Sequence, residues 1–326
     1  MSVKVENLSV AYRMRAGDVC PVEGVSFTVA DGEIMGLAGE SGCGKSTLGN
    51  SLVFMEGRMR HLGGRVVVDG QELPIADFRA MRPYRMAKVS LVPQYAMNAL
   101  NPTRRISRLT ADLLRSHDVR ESDVLEEMKR RIRLIGLGED VLGKYSFELS
   151  GGMRQRVTIV LSTLLNPSLL VADEVTSALD VSTQRAVGEM LMEFRDRGFV
   201  KSVIAITHDL SILAQIADSI LVMYAGRLAE KASTADIIKA PLHPYTQMLL
   251  ASLPEVGVRY DEATLTGIPG RPPSLVNPPA GCRFADRCPF ARAQCGQAPP
   301  FEEVEPGRHV ACWKVSQRWP EGGGRA

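Results

Sequence analysis

The stretch Gly39-Glu40-Ser41-Gly42-Cys43-Gly44-Lys45-Ser46 sits between an apolar run, EIMGLAG, and a segment of helical period from Lys45 to Met55. It constrains the fold strongly, because it requires a strand, a loop and a helix in that order. Glycines let consecutive backbone N–H groups curl around an anion, and a helix that starts at once adds its partial positive charge. A chance glycine-rich loop would lack these flanks. The spacing therefore predicts a phosphate-binding loop in an α/β protein. Gly39, Ser41, Gly42, Cys43, Gly44, Lys45, Ser46 and Thr47 form the candidate nucleotide-binding set. Lys45 is placed to reach the β- and γ-phosphates, and the Ser46 hydroxyl to ligate Mg²⁺.

The surrounding pattern is mixed. VKVENLSVAY, GVSFTV and EIMGLAG read as strands, with Asp31-Gly32 as the turn between the last two, and RVVVDG and KVSLVP are further strands. Residues 103–165 hold helical patterns only, including ESDVLEEMKRRIRLIGL, where Ser122 is a candidate cap. The run Lys129, Arg130, Arg131 and Arg133 reads as a solvated helix face. SLLVAD and SVIAIT are buried strands, residues 182–197 a helix, and SILVMYAGRLAE a strand that continues through a turn. From about residue 254 Pro and Gly become frequent, which predicts a loop-rich tail with little core of its own.

At 326 residues the chain is long enough for about two domains. Its formal net charge of +2 gives no electrostatic case for a nucleic-acid partner. The N-terminus lacks the pattern of a secretory leader, and no run reaches the roughly 18–20 apolar residues of a membrane span. These features place the chain in the cytosol, where thiols stay reduced. Cys20 and Cys43 then read as small apolar filler, while Cys282, Cys288, Cys295 and Cys312 cluster late in the sequence.

Asp173-Glu174 closes the apolar run LLVA. The first carboxylate at such a strand end can hold Mg²⁺, and the second can polarise an attacking water. Gln94, after KVSLVP, is placed to sense metal and water, His208 after SVIAIT to hydrogen-bond a γ-phosphate, and SALD ends in Asp180. Leu149-Ser150-Gly151-Gly152-Met153-Arg154-Gln155-Arg156 offers another anion-binding helix start. One phosphate loop already cradles one nucleotide, so a second cradle implies a second molecule.

With phosphate loop, Gln94, LSGG, Asp173-Glu174, SALD and His208 in this order, the chain resembles the ATP-binding-cassette (ABC) ATPases over about residues 3–250. The resemblance implies a RecA-like P-loop NTPase core with an antiparallel β subdomain and a helical subdomain at about 95–165. It also implies two ATPase domains that sandwich two ATPs. Ser150, Gly151, Gly152, Gln155 and Asp180 would then serve the ATP held by a partner, and Glu174, Gln94 and His208 would be catalytic. Ser46, Gln94 and Asp173 would surround Mg²⁺. Tyr12 matches the aromatic that stacks on adenine, although a core tyrosine is the plain alternative. Val175 departs from the family's usual Pro and loosens the link between Glu174 and the Asp180 loop.

QYAMNALNP, residues 94–102, and PLHPYTQMLLASLP, residues 241–254, resemble the oligopeptide and dipeptide importer ATPases. The first stretch would face a permease through Met97 and Leu100, unless these pack in the core. The second would open a C-terminal extension, dividing the chain into an ATPase domain at 1–240 and an extension at 241–326; read bare, Pro244 simply starts a helix. Four thiolates can hold an iron–sulfur cluster or zinc, or remain free. Intervals of five, six and sixteen residues lack C-x-x-C knuckles, and the resemblance favours a 4Fe-4S cluster. Its further implications are a related second ATPase subunit, two transmembrane permease subunits, a substrate-binding protein, and a peripheral place on the cytoplasmic face of the membrane. Oligosaccharide or nickel cargo, and a soluble non-transport ABC ATPase, are the alternatives.

Overall fold

The structure is a computed structural model that describes residues 3–15, 17–55, 57–96, 99–177, 179–252 and 267–319. In chain order it runs β1 Val3–Met14, β2 Gly17–Val29, β3 Ile34–Ala38, α1 Lys45–Val53, β4 Met59–Val68, β5 Gln71–Glu72 and β6 Val89–Val92. Three helices follow, α2 Ile106–Arg115, α3 Glu121–Leu134 and α4 Gly151–Thr163. Then come β7 Leu169–Asp173, α5 Val181–Asp196, β8 Ser202–Ile206, α6 Leu210–Ile216, β9 Ser219–Tyr224, β10 Arg227–Ser233, α7 Thr234–Lys239 and α8 Pro244–Ala251. The chain closes with β11 Glu302–Glu305, β12 Arg308–Val310 and α9 Trp313–Ser316.

The central sheet is ordered β11-β12-β10-β9-β3-β8-β7-β6, with parallel pairing from β9 through β6. A separate antiparallel sheet is ordered β2-β1-β4-β5. Strands β3, β7 and β8 are buried at every residue. The reason is visible in how their side chains divide. Ile34, Ala38, Leu170, Ala172, Val203 and Ala205 enter the core on the helical side. Their alternates Met35, Leu37, Leu169, Val171, Ile204 and Ile206 enter the core shared with the antiparallel sheet. A parallel sheet covered on both faces demands continuous apolar runs, and the sequence supplies them.

Register then sets function. Leu37 pairs with Ile206, Asp173 with Ile206, and Val92 with Ala172. Gly39, His208, Glu174 and Gln94 each stand one or two residues beyond these pairs. Four parallel strands therefore deliver four candidate residues to the same carboxyl edge of the sheet, where open α/β sheets bind ligands.

Three local expectations need correction. Arg131 is buried, at 1% exposure, although its neighbours in the basic run face solvent more. The guanidinium donates to Glu127 Oε1 (2.8 Å), the Thr163 carbonyl (2.6 Å) and Asn166 Oδ1 (2.6 Å), and it lies 4.0 Å from the Phe199 ring centroid. Ser122 does not cap α3, whose flanking residue is Arg120; its hydroxyl donates to Asp123. Leu100 is buried in the core on the helical side, so it is not available to a permease, and Met97 lies outside the described residues. Among the described residues no helix is long and apolar enough to cross a membrane.

Candidate active site

The phosphate loop follows β3 and turns into α1. Gly39, Gly42 and Gly44 all have positive φ, at 146°, 77° and 111°. Two of them are also sterically obligatory: a Cβ on Gly39 would lie 2.2 Å from the Met223 carbonyl oxygen, and one on Gly44 would lie 1.9 Å from that of Pro21. The buried Lys45 ammonium donates to the carbonyls of Gly39 (2.7 Å) and Glu40 (2.9 Å), which centres a positive charge over the loop. Cys43 is buried against it, 3.8 Å from Lys45 Nζ, as filler, and burial pushes its thiol up. Ser41 is exposed in the loop, and Thr47 is buried in the first turn of α1. Tyr12 is half-buried in β1 and packs on the cluster that includes Cys43 and Leu48.

At the next strand end, Ser46 Oγ donates to Asp173 Oδ1 at 3.1 Å. Asp173 is 2% exposed, and burial together with the neighbouring Glu174 charge raises its carboxyl to about 6. A hydroxyl and a carboxylate oxygen held this close, with no soft ligand beside them, fit a hard cation such as Mg²⁺. Gln94 Nε2 donates to Glu174 Oε2 at 2.7 Å, and His208 Nδ1 lies 3.7 Å from Glu174 Oε1. Glu174 adopts a left-handed conformation with φ 47°, fixed by its N–H donating to the Ile206 carbonyl at 2.8 Å. A proline at 175 would push position 174 towards extended backbone. Val175 leaves it free to take this conformation, so the departure from the family pattern has a local structural counterpart.

Ser150 caps α4, its Oγ accepting from the Met153 N–H at 3.3 Å, and Gly151 and Gly152 form the first turn. A Cβ on Gly152 would lie 3.2 Å from Thr183 Cγ2. Thr183 in turn donates its N–H and hydroxyl to Asp180, the cap of α5, at 2.9 and 2.8 Å. These donors, with Ser182, hold the Asp180 carboxyl well below the usual range. Gly152 and the Asp180 cap thus lie side by side through Thr183. Gln155 does not join them: at 2% exposure it is on the inward side of α4.

The sequence reading missed Glu40 and the residues that hold it. Its N–H donates to Tyr245 Oη at 2.7 Å, and its carboxylate receives Arg287. Tyr245 packs 4.5 Å from Tyr224 and 5.4 Å from Phe284, centroid to centroid. A charged residue inside a glycine-rich loop was the only signal available.

Cys282, Cys288, Cys295 and Cys312 all line one small cavity closed by Phe284, Phe290 and Trp313. The Cys282 N–H donates to the Cys295 carbonyl at 2.9 Å. Burial pushes the Cys282 thiol up to about 12 and the Cys288 thiol to about 11, and Cys312 moves the same way. Among the described residues, however, no group of three or more His, Cys, Asp or Glu is gathered tightly enough to hold a metal ion. The expected 4Fe-4S cluster is therefore unsupported by a metal-binding group, and a zinc site is no better served.

The chain matches the sequence profile of the ABC transporter family over residues 22–177, and that of the oligopeptide/dipeptide transporter C-terminal region over residues 229–295. It is 38% identical over 315 residues to the dipeptide transport ATP-binding protein DppD of Caldanaerobacter subterraneus subsp. tengcongensis, covering 95% of this chain and 96% of that protein. The oligopeptide transport ATP-binding protein OppD of Salmonella typhimurium is also 38% identical over 315 residues, covering 96% of this chain and 93% of that one. Among solved structures, the post-hydrolysis dimer of the ATP-binding cassette MJ0796 bound to ADP and Pi aligns with a TM-score of 0.61 at 25% identity, over 71% of this chain and 98% of that one. CbiO1 of Clostridium perfringens shares the fold, with a TM-score of 0.63 at 22% identity over 73% of this chain and 90% of that one. A strand-loop-helix phosphate site, an LSGG helix and relatives aligned over almost the full length agree, and the chain belongs to the ABC ATPases of the oligopeptide/dipeptide transporter family.

Proposed function

We propose that this chain is the ATP-hydrolysing subunit of an importer for oligopeptides or dipeptides, acting on the cytoplasmic face of the membrane. The observation that carries the catalytic part is Glu174, held between Gln94 and His208 one residue beyond the Asp173–Ser46 pair. Lys45 and the loop amides bind the β- and γ-phosphates; Ser46 and Asp173, with Gln94 beside them, would hold Mg²⁺, which would supply charge neutralisation at those phosphates. Glu174 accepts a proton from the attacking water, while Gln94 orients that carboxylate and His208 stands beside it to meet the γ-phosphate. Tyr12, by its resemblance to the family's aromatic, stacks on the adenine.

Ser150, Gly151, Gly152 and the Asp180 turn form the face offered to the ATP of a second ATPase subunit, a related chain. Closure of the two subunits on ATP pulls on two permease subunits fed by a substrate-binding protein. Peptide cargo rests on the relatives and on the matched C-terminal region. In the assembled transporter, Glu174→Gln should bind ATP yet lose hydrolysis by about a hundredfold or more. Near-parental turnover in that variant would require a different base.

For Cys282, Cys288, Cys295 and Cys312 the reading kept is the iron–sulfur cluster, with a role in fixing the extension; it rests on the resemblance of the extension, since the four cysteines line one cavity but form no metal-binding group among the described residues. Deprotonating thiols raised this far would release protons on binding. Anaerobically prepared protein should contain near-stoichiometric iron and labile sulfide, both lost in Cys288→Ser; iron-free parental protein would remove the cluster.

A further inference from the structure

Glu40 is the second residue of the phosphate loop, and each of its polar groups is engaged. Its carbonyl accepts from Lys45 at 2.9 Å and its N–H donates to Tyr245 Oη at 2.7 Å. The carboxylate takes a two-pronged hydrogen bond from Arg287, Nη1 to Oε2 at 2.6 Å and Nη2 to Oε1 at 2.9 Å. Tyr245 and Arg287 both follow residue 240, so the partners of the Glu40 N–H and of its carboxylate come from the C-terminal extension, while the carbonyl is held by Lys45 and Cys43 within the loop.

Arg287 is itself fixed on every side. Its side chain is 5% exposed, and it also donates to the carbonyls of Pro269 (2.8 Å) and Ile268 (3.1 Å) and to Tyr224 Oη (3.1 Å). Such a fork, with its donors satisfied and its plane set, is a rigid clamp rather than a surface pair. The clamped residue adjoins Gly39, whose close approach to the Met223 carbonyl leaves no slack in the loop. Electrostatics point the same way. A carboxylate two residues from the centre of a polyphosphate cradle repels the ligand unless a cation neutralises it, and Arg287 is that cation.

We propose that Arg287 is a positioning residue for ATP: it holds Glu40, and with it the phosphate loop, in the conformation that receives the triphosphate, and it cancels the charge of Glu40. The C-terminal extension is thereby part of the nucleotide site. The inference rests on the assignment of ATP to this loop.

The test is titration of the purified full chain with a fluorescent ATP analogue and Mg²⁺, with thermal unfolding run on each variant. Arg287→Gln should weaken binding about tenfold, equivalent to about 1.4 kcal/mol. Glu40→Gln should weaken it about threefold. The double variant should bind as Glu40→Gln does, better than Arg287→Gln alone, because the unpaired carboxylate is gone. A merely structural role would not give that rescue. If Arg287→Gln does not fold, Glu40→Asp serves from the other side: it keeps the charge, cannot reach the fork, and should lose about tenfold. Binding within twofold of the parent in a folded Arg287→Gln or Glu40→Asp chain, or a double variant no better than Arg287→Gln, overturns the proposal. A parent chain that binds no ATP would instead sink the assignment of ATP to the loop.

Discussion

A buried imidazole that accepts a backbone hydrogen bond has to be neutral, and His243 is held in that state. It is 4% exposed, its Nδ1 accepts from the Tyr245 N–H at 3.0 Å as the cap of α8, and burial lowers it to about 4. The unfolded chain takes up this proton near pH 6.5 and the folded chain only near pH 4. Stability is therefore unaffected by His243 above about pH 6.5 and falls as pH drops through the window to about 4, by at most about 3 kcal/mol. Glu230 acts in the opposite sense: burial raises its carboxyl, so its contribution is lost as pH rises. The difference between variant and parent is accordingly the readout. His243→Asn keeps a capping acceptor without a proton site, and urea unfolding between pH 7.5 and 4.5 should show a shallower pH dependence than in the parent. An unchanged slope would place the acid sensitivity elsewhere.

Elements are held together by groups that their own patterns do not announce, and α3 is the clearest instance. Arg131 links it to the end of α4 through the Thr163 carbonyl and to the following turn through Asn166, over the face of Phe199. Arg131→Ala should destabilise the protein by about 3 kcal/mol, since it removes a buried, fully engaged cation; Arg131→Lys should recover little, lacking the planar fork. Chemical denaturation of both variants decides this, and a loss below 1 kcal/mol in Arg131→Ala would show that water replaces the lost donors. The contrast with the phosphate loop explains what was legible. Gly39, Gly44, Lys45, Ser46, Asp173 and Glu174 announce themselves because an anion and a metal demand those residue types at those spacings, and fully apolar runs announce β3, β7 and β8. Arg131, Arg287 and Tyr245 do not, because their partners lie far off in sequence and a cation or a phenol looks the same on a surface as in a core. Ser122 misled for a related reason: a capping residue is visible, but the helix starts at Glu121, two residues before the start that a Ser122 cap would set.

Across the whole molecule, the boundary that the sequence predicts at residue 240 is crossed by more than a connecting chain. Strand β12 pairs with β10, Glu230 opposite Val310 and Lys231 opposite His309, so the tail extends the ATPase sheet. The buried Glu230 carboxylate accepts the N–H groups of Leu242 and His243 at 2.7 and 2.9 Å. Tyr245, Phe284 and Cys288 lie in the same core as Ile34 and Ala172. A sequence rich in Pro and Gly predicts a loop-rich tail, and most of residues 267–319 lie outside helices and strands; this part borrows its core from the ATPase instead of building one. Ending the chain after residue 240 would leave Glu230 buried without its amide donors, expose Tyr224, and remove both restraints from Glu40. Each large apolar side chain withdrawn costs about 1.5–3 kcal/mol. The shortened chain should therefore be insoluble or melt at least about 10 °C lower and bind ATP more weakly, while the full chain unfolds in a single calorimetric transition. A shortened chain that keeps the parental melting temperature, or a full chain with two separate transitions, would mean that the tail folds apart from the ATPase.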